Sequence, residues 1–86
     1  MNCTYTTKGT CSKSIKFKLN NDGTVADVEF EGGCHGNTQG ISALAQGQDA
    51  RWLIGRLKGL DCRGRGTSCP DQLAQALEKA LGELAQ

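Results

Sequence analysis

The 86-residue sequence predicts an α+β domain, with a two- or three-stranded antiparallel sheet followed by three helices packed on one of its faces. Three observations carry that prediction. Apolar and charged residues alternate strictly from Ile15 to Leu19, a turn-forming run Asn20-Asn21-Asp22-Gly23 follows, and beyond Asn37 the apolar residues recur at helical spacing.

The elements follow in order. "CTYTT", from Cys3, is rich in strand-forming residues and reads as a third strand ahead of the hairpin. In "SIKFKL", Ile15, Phe17 and Leu19 face inward while Lys16 and Lys18 face water. After the turn, the return strand is expected to put Ala26, Val28 and Phe30 on one face and Val25, Asp27, Glu29 and Glu31 on the other. Lysines on one strand then stand across from acids on its neighbour, each pair worth at most a few tenths of a kcal/mol. "NTQGISALAQG" is a helix capped by Asn37 or Thr38, with Ile41, Leu44 and Ala45 inward and Gly47 as its stop. "DARWLIGRLKG" is a second, with Ala50, Leu53, Ile54 and Leu57 inward and Gly59 beyond its C-terminus. Trp52 is expected to pack or half-pack on its side. The last helix begins near Pro70, and Leu73, Leu77, Leu81 and Leu84 form its apolar stripe.

A chain of this length makes one domain, 1–86, with one modest core; about 60–70% of the unfolded chain's surface is buried at this size, so a staple would help. The net charge of +1 gives no strongly basic face, which speaks against nucleic acid as the partner. The N-terminus lacks the apolar run of a signal peptide and no stretch approaches the roughly 18 apolar residues of a membrane span, so a cytoplasmic protein is expected. Thiols stay reduced there, and its cysteines are more often ligands or redox groups than disulfides.

Twelve glycines and five cysteines are the unusual counts. Cys11, Cys34, Cys62 and Cys69 fall at element boundaries, where loop ends can converge on a point. Cys34 lies in "EGGCHGN"; Cys62 and Cys69 bracket a loop containing Gly64 and Gly66. Pro70 suits the first helical position, which puts Cys69 at or next to the N-cap, facing unpaired N–H groups and the positive end of the helix dipole. That place suits a thiolate, whether as ligand or nucleophile. Thr67 and Ser68 offer hydroxyls for capping or for bonding the sulfur. Four converging thiolates would hold tetrahedral Zn2+ or an iron–sulfur centre, although no C-x2-C pair is present. Small buried thiols are the competing reading, and for Cys3 they are the better one. His35 is a further candidate ligand if the chain turns there. Arg63 and Arg65 offset negative charge at such a site or simply make a solvated basic loop. Asp71 compensates the helix dipole. No Ser–His–Asp set, carboxylate pair or phosphate loop can be drawn.

"TSCPD", Thr67 to Asp71, with "FEGGCHGNTQGISALAQG" and "LKGLDC" upstream, resembles the TSCPD domain family over nearly the whole chain. The resemblance implies a metal-binding role for Cys11, Cys34, Cys62 and Cys69, leaving Cys3 outside the pattern. It also implies a link to ribonucleotide reduction, since related domains close adenosylcobalamin-dependent ribonucleotide reductases. Eighty-six residues cannot house that reaction's barrel, nucleotide site and cobalamin site, so an accessory role is expected rather than a complete enzyme. The middle cysteine block is also similar to IscU/NifU-type iron–sulfur scaffold proteins, which implies a shared fold. This chain differs from them in its fourth cysteine and in having Lys13 two residues after Cys11. The expected function is thus a zinc-binding accessory or interaction module. The alternatives are an iron–sulfur scaffold and a thiol redox protein using Cys62 and Cys69. Neither the partner nor the oligomeric state is legible.

Overall fold

The computed structural model describes residues 1–10, 12–33, 35–61, 64 and 66–84, and of His35 the backbone only. Its elements are β1 (Asn2–Thr6), β2 (Ser12–Leu19), β3 (Val25–Gly32), α1 (His35–Ala45), α2 (Ala50–Leu57) and α3 (Cys69–Leu84). The strands form one antiparallel sheet in the order β1-β2-β3. The α+β class, the third strand and the three helices are as the sequence predicts.

Alternation does its work on β2. Ile15, Phe17 and Leu19 are buried, and Lys16 and Lys18 are exposed. Cys3 and Tyr5 of β1 pair with Phe17 and Ile15 and pack on the same core. On β3 the expected faces are half wrong. Val25 is fully buried opposite Leu19, while Ala26 pairs with outward-facing Lys18. The cause is an extra residue in β3: between the pairs Lys18–Ala26 and Lys16–Glu29 the strand advances three residues against two. Asp27 takes up the difference in the left-handed region, φ 54°. The inserted residue reverses the phase of alternation, so Val25 and Val28 both point inward. Of the expected cross-strand charges, Lys16 stands opposite Glu29, but Glu31 takes the Ser14 hydroxyl instead.

The hairpin turn closes as expected, with Gly23 at φ 87° and Asp22 accepting from both the N–H and the hydroxyl of Thr24. Beyond β3, α1 starts two residues before the expected cap and runs to Ala45, after which Gly47 turns the chain. Its inward face is Thr38, Ile41 and Ala45; Leu44, expected inside, is 76% exposed. Residues 47–50 run along the β3 edge through Val25 N–H to Gln48 O (2.9 Å) and Ala50 N–H to Gly23 O (2.8 Å). Asp49 then caps α2 by accepting from Trp52 N–H.

Helix α3 is the keystone. Leu73, Ala74, Ala76, Leu77 and Ala80 are buried, with Leu81 and Leu84 half-buried at the far end. The small residues let it settle closely on β2 and α2, so that the core of Ile15, Leu19, Val25, Leu53, Leu73 and Leu77 sits between sheet and helices. Each such large side chain contributes roughly 1.5–3 kcal/mol relative to exposure. No helix among the described residues is long and apolar enough to cross a membrane.

Candidate functional site

The first turn of α3 organises one end of the molecule. Ser68 is the cap: its hydroxyl accepts from Asp71 N–H at 3.1 Å and its carbonyl from Gln72 N–H at 2.8 Å. Cys69 is therefore the first helical residue, next to the cap as the sequence suggested, and Pro70 is the second rather than the first. The reason is that serine offers a capping oxygen and cysteine does not. Cys69 is a free, half-buried thiol, and the hydroxyl lying against it is neither Thr67 nor Ser68 but Ser12 Oγ, 3.3 Å from its Sγ.

Ser12 reaches the helix through a second register shift. Between the pairs Ser14–Glu31 and Ser12–Gly32, β2 advances two residues against one. The extra residue, Lys13, turns Ser12 off the solvent face and leaves it buried. Thr7 and Thr10 donate their hydroxyls to the Ser12 carbonyl. Gly33 (φ 85°) follows β3 so closely that a β-carbon there would lie 3.4 Å from Ser12. Gly9 (φ 76°) leaves the room that Thr67 occupies, a β-carbon at that position meeting its methyl at 3.0 Å.

Asp71 is the centre of the corner, and its role exceeds the dipole compensation expected of it. It is 4% exposed and accepts from Gly59 N–H (2.6 Å), Thr67 Oγ1 (2.5 Å) and Gln75 Nε2 (2.8 Å). Burial pushes its carboxyl upward. The Thr67 hydroxyl, the Gly59 N–H, the Gln75 amide and the charge of Lys58 together outweigh burial and hold it below the usual carboxylate value. Gly59 and Thr67 are the two ends of the segment that contains Cys62, so one carboxylate pins both. Within that segment Asp61 accepts from the N–H groups of Gly64 and Gly66. Gln72 completes the network, accepting from Lys8 N–H (3.0 Å) and donating to Thr67 Oγ1 (2.9 Å). Asp71 was singled out from the sequence, but only as dipole compensation, and Gln72 was not, because a polar residue in a first helical turn reads as exposed; the clue to the Asp71 network was Thr67, four residues before it.

Of the candidate ligands, Cys69 is described, while Cys11, Cys34 and Cys62 lie outside the described residues, as do Arg63, Arg65 and the His35 side chain. Among the described residues no three His, Cys, Asp or Glu side chains form a group able to hold a metal. Cys3 lies apart, between β1 and α3 beside Phe17, Ala76 and Glu83. Burial, and then the Glu83 charge, push its thiol above the ordinary value, and it makes a core contact as the sequence suggested.

An antiparallel sheet backed by three helices, with a thiol in the first turn of the last helix, makes this a small α+β domain. The family model for the TSCPD domain matches residues 3–81, and the chain belongs to that family. No curated protein and no solved structure matches it.

Proposed function

We propose that the chain is a metal-binding module in which Cys11, Cys34, Cys62 and Cys69 hold one Zn2+ ion. The observation that carries this reading is the Ser12–Cys69 contact. Ser12 follows Cys11 in the chain, and it lies against Gly33, which precedes Cys34. Gly59 and Thr67, which flank the Cys62 segment, meet at Asp71, two residues from Cys69. The described neighbours of all four cysteines thus belong to one corner, and a thiolate-only donor set fits zinc. A bound zinc supplies a cross-link between sheet, loop and helix, whose binding free energy adds to folding. Arg63 and Arg65 would offset the dianionic charge of a four-thiolate site.

The ion serves an accessory or interaction domain in a reducing, cytoplasmic setting. The resemblance to domains of adenosylcobalamin-dependent ribonucleotide reductases supports a place beside such an enzyme.

Elemental analysis and the visible spectrum of the purified, untagged chain test the reading. One zinc per chain without colour is expected. Serine at Cys11, Cys34, Cys62 or Cys69 is expected to lose the metal and lower the melting temperature, and Cys3→Ser to keep both. Absence of stoichiometric metal, or damage from Cys3→Ser equal to that from Cys69→Ser, overturns it. Iron with charge-transfer bands would instead make the chain an iron–sulfur scaffold, and a reversible Cys62–Cys69 disulfide without metal a redox protein.

A further inference from the structure

A groove of about 320 Å3 runs between α1 and α2, floored by Ile41, Leu44, Trp52, Leu53 and Leu57, with Arg56 beside it. Leu44 is 76% and Trp52 49% exposed. A single exposed leucine means nothing; apolar residues contiguous across two helices mark a contact surface. The Arg56 guanidinium lies 5.4 Å from the centre of the Trp52 ring, a cation–π contact that holds both side chains in place.

Charge identifies the occupant. None of the seven residues lining the groove is acidic. Helix α2 carries Arg51 and Arg56 and no acid, and Lys58, at its end, is paired with Glu78 at 2.9 Å. Asp49, the acid that precedes α2, is engaged by Trp52 N–H as the helix cap. Among the described residues Arg56 meets no carboxylate, so the free charge beside the apolar floor is positive. A second copy docking across a two-fold axis would bring together two copies of one patch whose free charge is positive. Seven lining residues also fall well short of the roughly 20 per side of a stable protein–protein interface.

From this we infer that the groove is a docking site for a short amphipathic segment of a partner protein, with large apolar side chains for the floor and aspartate or glutamate next to them for Arg56. The inference stands independently of the metal, since the groove contains no cysteine.

Trp52 is the sole tryptophan and reports on the site directly. The test is a phage-displayed library of random peptides selected on the full chain, with removal of binders to Leu44→Glu, a change at an exposed position that leaves the core intact. Selected peptides are expected to place acids next to large apolar residues and to shift Trp52 emission to the blue on binding. Arg56→Glu, checked for unchanged circular dichroism, should weaken them about tenfold. Failure to enrich any peptide, enrichment without an acidic bias, or affinity unchanged by Arg56→Glu overturns the inference. So does a concentration-dependent dimer that Leu44→Glu abolishes, which would make a second copy the occupant.

Discussion

The sheet–α3 core and the corner at the N-terminus of α3 share one helix but are held together by different physics. The core is apolar contact spread over many side chains, as with Ile15, Leu19, Leu73 and Leu77. The corner is held by polar groups: the Asp71 carboxylate and the Gln72 amide oxygen accept from the Gly59 and Lys8 N–H groups, and the hydroxyls of Thr7, Thr67 and Ser68 bond the Ser12 carbonyl, the Asp71 carboxylate and the Asp71 N–H. Contacts of the first kind are interchangeable within limits, since volume and hydrophobicity decide them. The second kind is less tolerant of change, because removing one acceptor leaves several donors, part-buried in their hydrogen bonds, without partners.

Three experiments press on that difference, from the largest expected effect to the smallest. Leu77→Ala should destabilise the whole domain by about 2–5 kcal/mol, read as a lower denaturation midpoint with all probes moving together. Asp71→Asn should cost less, about 1–3 kcal/mol, and its effect should be local. Hydrogen exchange should show Gly59 N–H losing protection while the β2 amides keep theirs; equal losses in both would mean that core and corner are one unit.

The smallest effect belongs to the hairpin turn, remote from both. The Thr24 hydroxyl and then its N–H hold the Asp22 carboxyl below its ordinary 3.8. A group depressed in the folded state stabilises fully above its unfolded value and ceases to do so as pH falls through the lower folded one. Wild type should therefore exceed Asp22→Asn slightly in melting temperature near neutrality, and the gap should close below about pH 4. A gap that persists into acid would assign the effect to the turn's shape rather than to charge.

The same contrast explains what could be read from the sequence. Period-two and period-3.6 patterns located β2, α2 and α3 because burial there is decided by many residues at once. The β3 faces were misread because one inserted residue, Asp27, shifts the phase and leaves no compositional mark. Leu44 was misassigned because an apolar residue at helical spacing reads as core whether or not a neighbour covers it. In the corner the place of Cys69 at the start of α3 was legible from Pro70 and from "TSCPD". The Ser12 hydroxyl at Cys69 was not, since it depends on Lys13 being accommodated in β2. Asp71 as the pin of two loop ends needed three-dimensional proximity that no local pattern encodes.

The bonds from Lys8 to Gln72 and from Ser12 to Cys69 join positions 64 and 57 residues apart. During synthesis, which proceeds from the N-terminus, neither can form until the final helix has emerged from the ribosome. The hairpin, by contrast, can pair as soon as Val25–Gly32 is available. For most of its synthesis the polypeptide thus carries its first thiol, Cys3, on a sheet that still lacks its helical cover, where oxidants reach it more readily than in the finished fold.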